Sequence, residues 1–173
     1  MKKFLLVFVA ALAFSCGDNN KKEDVTTPKI GGPQVESKTP VNTGTTDDAV
    51  VEITITGNDQ MKFDKNQIRV KAGQTVRLTL RHVGQMEKAI MGHNWALLAP
   101  GTDMAAVGQA AASAEETDYI PSEYKDQILE HTKMLGGGES DTIEFEAPAA
   151  GTYDFLCTFP GHYALMQGKF IVE

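Results

Sequence analysis

Residues 153–166 of the 173-residue chain read Tyr-Asp-Phe-Leu-Cys-Thr-Phe-Pro-Gly-His-Tyr-Ala-Leu-Met. Tyr153, Phe155 and Cys157 occupy every second position, so they share one face of a predicted strand. The last ten of these residues place a thiol, an imidazole and a thioether close together, and the Pro-Gly pair before His162 supplies a tight turn. The stretch therefore predicts a strand that ends in a loop carrying soft metal ligands.

The same period of two recurs along the chain and predicts further half-buried strands. They are expected at residues 50–56, around Ile68 and Val70, at 75–82, at 93–97, around Ile143 and Phe145, and at 170–172. In residues 75–82 the alternation places His82 on the inward face. Short strands separated by turn signals favour an all-β Greek-key sandwich.

One segment breaks this pattern. Residues 103–133 are rich in Ala, Glu and Gln, and we expect a helix at 122–131 with Ser122 as its N-cap. The segment is interpreted as a helical flap outside the sandwich. A surface loop without a stable helix is the alternative.

Two more residues complete a metal-ligand set with Cys157 and His162. His93 comes from a separate predicted strand, and Met166 ends the loop. A trigonal set of two His and one Cys with a weak axial Met describes a blue-copper electron-transfer site. A buried Cys, His or Met taken alone has an ordinary structural role in the core. The combination at this spacing favours copper.

The N-terminus has the pattern of an export signal. Lys2 and Lys3 precede an unbroken apolar run over residues 4–14, and Cys16 follows small residues at its end. This arrangement resembles a bacterial lipobox, which implies a signal peptide at residues 1–15 and lipid attachment to Cys16. An ordinary secretory signal is the alternative. A lipidated protein would be anchored to a membrane of the bacterial cell envelope and face the periplasm or the exterior.

Residues 17–48 contain no aromatic residue but six Thr, four Gly and three Pro, a composition that cannot support a packed core. We interpret residues 16–48 as the lipidated Cys followed by a disordered tether, and residues 49–173 as the folded domain. Removal of residues 1–15 leaves 14 basic against 23 acidic residues, a net charge of -9. This acidic balance excludes nucleic acid as an expected partner.

Within residues 49–173 several motifs resemble the azurins, a family of type 1 copper cupredoxins. They are the segments at residues 57–63, 91–95, 131–133 with 136–139, and 157–168. In the last segment, four residues separate Cys157 from His162 and three separate His162 from Met166. Other cupredoxins use different spacings.

The resemblance implies a role for each matching residue. His93, Cys157 and His162 would be the strong copper ligands, with Met166 and the carbonyl of Gly92 as weak axial ones. Asn94 would tie the two ligand segments together from outside the ligand set. An apolar patch would surround the exposed edge of His162, where electrons leave; it would contain Met61, Met91, Gly161 and Ala164. Trp95 would be core, and His82 a core histidine, with a pH-sensitive modulator as the alternative.

Departures from the family pattern qualify these expectations. The chain has no cysteines for the disulfide that azurins carry, and Tyr163 stands beside the ligand histidine where a smaller residue is usual. The second departure predicts a changed docking surface.

The leading functional hypothesis is a one-electron carrier that cycles Cu(II)/Cu(I) and is not an enzyme. Its partners would be redox proteins, such as c-type cytochromes or copper or haem reductases, that dock weakly and briefly. A copper-handling or copper-buffering lipoprotein is the alternative, and a metal-free binding module is disfavoured by the intact ligands.

Overall fold

Residues 50–173, the part of the chain described by the structure, a computed structural model, form nine strands, and the longer ones alternate apolar and polar residues. The strands are β1 (Val51–Asn58), β2 (Lys62–Phe63), β3 (Gln67–Val70), β4 (Thr75–His82), β5 (Ala96–Leu98), β6 (Ile128–His131), β7 (Ser140–Glu146), β8 (Gly151–Leu156) and β9 (Gln167–Val172). The predicted signal peptide at 1–15 and the predicted lipidated Cys16 and tether at 16–48 lie outside the described residues.

The strands form two mixed sheets. One sheet has the order β2-β1-β4-β7, and the other has the order β3-β9-β8-β5-β6. Pairs β1–β4 and β3–β9 are parallel, and the remaining pairs are antiparallel. The predicted all-β sandwich is confirmed, and six predicted strands correspond to β1, β3, β4, β7, β8 and β9.

The main core fills the space between the two sheets. Inward-facing residues of β4 are buried while their neighbours are exposed or half-buried, as the period of two requires. Trp95 is fully buried at the centre, with its ring near those of Phe145, Phe155 and Phe170. The interpretation of Trp95 as core is confirmed.

A second, smaller core lies on the other face of the five-stranded sheet. Leu97 belongs to the main core, whereas its neighbours Ala96 and Leu98 pack with Val107 and Leu156 in the second cluster. Successive residues of a strand point to opposite faces, so this second cluster covers the outer face of the sheet. Helix α2 (Met104–Ala111) supplies Val107 and forms its cover.

The helix of the flap is not where the sequence predicted it. Residues 122–131 do not form a helix: Ser122–Tyr124 is a single 3₁₀ turn and Ile128–His131 is strand β6. The predicted N-cap role of Ser122 is therefore wrong, since no α-helix begins there. The helix is α2, and Asp103 is its N-cap, because the Asp103 carboxylate accepts hydrogen bonds from the backbone N–H groups of Ala105 and Ala106.

Other short elements complete the described part of the chain. Strands β2 and β6 were not predicted, and β5 begins at Ala96, so His93 and Trp95 precede it. A four-residue helix, α1 (Lys88–Met91), leads into the segment that carries His93. None of the helices in residues 50–173 combines the length and the apolar character that crossing a bilayer requires.

Candidate metal centre

Two segments of the chain bring the predicted ligands to one end of the sandwich. His93 follows α1 and Gly92, and its backbone pairs with Leu135 through two hydrogen bonds of 3.0 and 2.8 Å. Cys157 directly follows β8, and His162 begins a 3₁₀ turn in the next loop. The three side chains belong to different elements, yet all three are buried.

The second segment, residues 157–166, closes on itself by backbone hydrogen bonds. Gly161 has a left-handed backbone with φ of 81°, which glycine adopts without strain, and the N–H of His162 donates to Phe159. The N–H of Met166 then donates to His162, and the N–H of Cys157 donates to Met166. The turn predicted from the Pro-Gly pair is confirmed, and it returns His162 to Cys157.

The three strong candidate ligands meet in space. One ligand atom each from His93, Cys157 and His162 lies within 4.8 Å of the other two. Nδ1 of His162 is 3.6 Å from the sulfur of Cys157. Among the described residues this is the only group of three or more His, Cys, Asp or Glu side chains placed to hold a metal ion.

The hydrogen bonds of His93 leave one nitrogen free for a metal. Its Nε2 donates to the carbonyl of Asn58 at 2.9 Å, which fixes the proton on Nε2. Its Nδ1 is buried and has no hydrogen-bond partner. A buried acceptor without a partner is costly, and a metal ion in the cluster would satisfy it. The residues therefore fit copper, as does the soft donor set of one thiol and two imidazoles.

The electrostatics of the cluster also suit a cation. Burial raises the pKa of the Cys157 thiol to about 12, although the backbone N–H groups of Asn94 and Phe159 oppose this rise. Burial, together with the nearby His93 and His82, lowers the pKa of His162 to about 4. Burial likewise lowers the pKa of His93. Both imidazoles are therefore neutral at pH 7, and each has a lone pair available to coordinate a metal. The thiol, in contrast, needs a nearby cation to become a thiolate.

The two predicted weak ligands lie beside the cluster. The thiol of Cys157 donates a long hydrogen bond of 3.8 Å to the carbonyl of Gly92. Met166 is fully buried, and its terminal methyl group and the His93 ring both lie against Gly57. A Cβ on Gly57 would be 2.8 Å from Cδ2 of His93 and 3.2 Å from Cε of Met166. Gly57 is thus a close-approach position that the sequence interpretation did not single out.

Asn94 joins the two ligand segments by a reciprocal pair of hydrogen bonds. Its Nδ2 donates to the hydroxyl of Thr158 at 2.7 Å, and its Oδ1 accepts from the N–H of Thr158 at 2.8 Å. Both residues are fully buried. The predicted tie between segments is present, and Thr158 is the partner that the sequence alone did not identify.

His82 is buried with both ring nitrogens bonded. Its Nε2 donates to the carbonyl of Met91 at 2.8 Å, and its Nδ1 accepts from the N–H of Gly84 at 3.1 Å. Its ring stacks on His93 with a centroid distance of 4.3 Å. The inward orientation is confirmed, and His82 has the contacts of a satisfied core histidine.

The predicted docking patch is partly exposed. Met61 and Met91 are half-buried, and Gly161 and Ala164 are exposed. Nearby, Ile90 of α1 and Leu165 of the metal-binding loop expose 64% and 63% of their surfaces. His162 itself is only 3% exposed, so less of its edge reaches solvent than the sequence suggested. Tyr163 is half-buried and packs against α2 with the second core cluster.

Comparison with known proteins agrees with this site. The family of copper-binding proteins described as the plastocyanin/azurin family matches residues 49–173. Azurin-1 of Alcaligenes xylosoxydans xylosoxydans is 39% identical over 124 residues, which cover 69% of this chain and 95% of the relative. Outer membrane protein H.8 of Neisseria gonorrhoeae is 41% identical over 119 residues, covering 67% of this chain and 64% of the relative.

A solved structure has the same fold. Auracyanin A, described as a "blue" copper protein from the green thermophilic photosynthetic bacterium Chloroflexus aurantiacus, is 37% identical with a TM-score of 0.65. The match covers 72% of this chain and 100% of that structure.

Proposed function

The chain belongs to the plastocyanin/azurin family of copper-binding proteins, and we propose that it carries single electrons between redox partners at the cell envelope. The observation that carries this proposal is the buried, unpartnered Nδ1 of His93 in a cluster with Cys157 and His162. Copper, when bound, supplies the Cu(II)/Cu(I) couple. The protein holds the ion and performs no bond chemistry of its own, so we propose a carrier and not an enzyme.

The proposed ligand set has three strong and two weak members. His93, Cys157 and His162 are the strong ligands, and Met166 and the carbonyl of Gly92 are the weak axial ones. Three features support the proposal: the clustering of the three strong ligands, the burial of Met166, and the contact of Gly92 with the Cys157 sulfur.

The surrounding residues hold this set in place. Asn58 fixes the orientation of His93, and the Asn94–Thr158 pair fixes the spacing between the ligand segments. N–H groups of Asn94 and Phe159 favour the anionic form of the Cys157 sulfur. A rigid pocket of this kind resists rearrangement when the charge at its centre changes by one, which favours rapid electron exchange.

The visible spectrum of residues 49–173 with Cu(II) tests the proposal. We expect an intense blue band that a mild reductant bleaches and re-oxidation restores. His93→Gln and Cys157→Ser should each abolish the band. His131→Gln is the matched control, since His131 is an exposed histidine outside the cluster, and it should leave the band unchanged. A colourless wild-type domain would exclude a thiolate–copper carrier.

The alternative function, copper handling or buffering, uses the same donor set. A carrier retains copper in both oxidation states, whereas a handling protein releases it. We therefore expect electron exchange with a redox dye to be much faster than copper transfer to a Cu(I) chelator. The reverse order of rates would favour copper handling.

We propose that the protein is lipid-anchored through Cys16 and that residues 17–48 tether the domain. The apolar run before Cys16 supports this location, and a relative named as an outer membrane protein gives it further support. A tethered domain samples membrane-bound partners at raised effective concentration. Detergent phase partitioning tests the anchor: the exported protein should enter the detergent phase, and a Cys16→Ala variant should remain in the aqueous phase.

For partner docking we propose the patch of Met61, Met91, Gly161 and Ala164, used weakly and transiently. The neighbouring exposed Ile90 supports an apolar contact surface. Small redox proteins such as c-type cytochromes, or copper or haem reductases, are the expected partners. An Ala164→Glu variant should slow electron transfer to a cytochrome c about tenfold, whereas Thr152→Glu, an equally exposed change on β8, should leave the rate unchanged.

A further inference from the structure

Two neighbouring side chains of the metal-binding loop face different parts of the molecule. His162 points into the buried cluster with Cys157, whereas Tyr163 packs with the second core cluster on the outer face of the five-stranded sheet. Both residues belong to one 3₁₀ turn, His162–Ala164. Because a single turn carries both side chains, a contact that fixes Tyr163 also fixes the backbone from which His162 projects.

The contact that fixes Tyr163 is made by helix α2 at a glycine. A Cβ on Gly108 would lie 2.3 Å from Cδ1 and 2.4 Å from Cγ of Tyr163, so the tyrosine ring rests directly on the helix backbone. Gly108 is buried in the interior of the helix. Glycine weakens a helix interior, and close approach of another group is a physical reason for its presence.

The remainder of the turn has little packing of its own. Gly161, Ala164 and Leu165 are exposed. The side chain of Gln167 donates to the carbonyls of Tyr163 and Ala164 at 3.1 and 3.3 Å, and these bonds are exposed to solvent. Exposed hydrogen bonds contribute less rigidity than a buried ring, so the Tyr163–Gly108 contact is the main outward support of the turn.

We propose that Tyr163 is a positioning residue, seated on Gly108 of α2, that fixes the orientation of the His162 imidazole toward the bound metal. The flap is then a support for the metal-binding loop. The sequence predicted that Tyr163 changes the docking surface, and the packing of its ring on α2 adds a structural role to that prediction. The link to the metal rests on the proposed function, whereas the mechanical part concerns the loop alone and can be tested without copper.

Four variants separate this role from a general effect on folding. Tyr163→Ser removes the ring, and Gly108→Ala displaces it while retaining the tyrosine. Tyr163→Phe keeps the ring and removes only the hydroxyl. Gln109→Ala is the matched control on the same helix, because Gln109 is exposed. A Gly→Ala change would by itself strengthen the helix, so any loosening caused by Gly108→Ala must come from the displaced ring.

Amide hydrogen exchange of the full chain without metal is the first measurement. The amides of Leu165 and Met166 report on the turn, since both donate to the His162 carbonyl. We expect at least tenfold faster exchange of these two amides in Tyr163→Ser and Gly108→Ala, with wild-type rates in Tyr163→Phe and Gln109→Ala. The amides of residues 76–79 in β4 are the reference, since they lie away from the His82 end of the strand, and they should exchange at wild-type rates in all variants.

The copper-loaded proteins provide the second measurement. The blue band and the copper hyperfine splitting should change in Tyr163→Ser and Gly108→Ala only. Wild-type loop exchange and an unchanged spectrum in both variants would overturn the proposal, and so would equal acceleration in the loop and in β4. If Tyr163→Ser does not fold, Gly108→Ala decides alone. Failure of the proposed function would instead appear as a colourless wild-type protein, whatever the exchange rates.

Discussion

The reciprocal hydrogen bonds between Asn94 and Thr158 provide the sharpest test of how the site is held together. They are the buried side-chain tie between the two ligand segments, at 2.7 and 2.8 Å. Asn94→Ala removes both bonds and leaves the N–H of Thr158 without its partner in a fully buried position. The backbone N–H of Asn94, which favours the Cys157 thiolate, is retained.

The size of the effect follows from these contacts. A buried hydrogen bond contributes about 1 kcal/mol net, and a buried donor left unpaired costs about 1–3 kcal/mol. Asn94→Ala should therefore lower the free energy of unfolding by about 3 kcal/mol. Thr158→Val keeps the backbone bond but leaves Nδ2 of Asn94, a buried donor, without its acceptor, so we expect a loss of about 2 kcal/mol. The double variant should lose about 1 kcal/mol less than the sum, because both changes break the same bond.

Urea unfolding of metal-free residues 49–173 measures these losses without a contribution from copper binding. With a slope of about 2 kcal/mol per molar urea, a loss of 3 kcal/mol lowers the midpoint by about 1.5 M. A loss below about 1 kcal/mol for Asn94→Ala, or strict additivity in the double variant, would refute the argument that this pair ties the segments.

Three further expectations concern the site and its surroundings. Gly57→Ala places a carbon 2.8 Å from the His93 ring, so copper affinity should fall about tenfold or more in a chelator competition. The metal-free protein should lose stability below about pH 6.5, because the pKa of His162 is lowered to about 4 and only the unfolded imidazole then binds a proton. It should also lose stability above about pH 9, because the pKa of Cys157 is raised to about 12 and only the unfolded thiol then ionises. Urea midpoints measured across the pH range test both losses of stability. Arg77→Met should leave the urea midpoint almost unchanged, although its guanidinium lies 2.6 and 2.8 Å from two carboxylates, since these ion pairs are exposed.

Control variants or contrary outcomes check these expectations. Gly151→Ala adds a methyl group with no neighbour closer than 3.4 Å, so it should leave copper affinity unchanged; an equal loss at both glycines would count against a close-approach role. Cys157→Ser should remove only the loss of stability at alkaline pH. If that loss persisted, a group other than the Cys157 thiol would cause it. A large destabilisation in Arg77→Met would show that the ion pairs matter more than their exposure implies.

The strands were predictable wherever one face is buried and the other is exposed to solvent. The alternation in residues 75–82 predicted β4, and Ile143 and Phe145 predicted β7, because burial of one face imposes a period of two. The short edge strand β6 was missed. Residues 128–131 carry no such alternation, and they become a strand because β5 offers them backbone hydrogen bonds.

The position of the flap helix was also not predictable from local sequence. Residues 122–131 contain helix formers, yet sheet pairing uses residues 128–131 and leaves only a 3₁₀ turn before them. Helix α2 contains Gly108, a poor helix former, and is held by packing on the outer face of the sheet. Local propensity is a weak prior: sheet pairing outweighed it at residues 128–131, and burial of an apolar face outweighed it in α2.

The sequence alone predicts the donor set, because soft ligands at the spacing of Cys157, His162 and Met166 are typical of a copper site. The surroundings of these ligands become apparent only in the folded protein. Asn58, Thr158 and Gly108 contact residues that are distant in the chain, and no local pattern identifies those contacts. Their contacts exist because two sheets and a flap pack together, and packing brings together groups that the order of the sequence keeps apart.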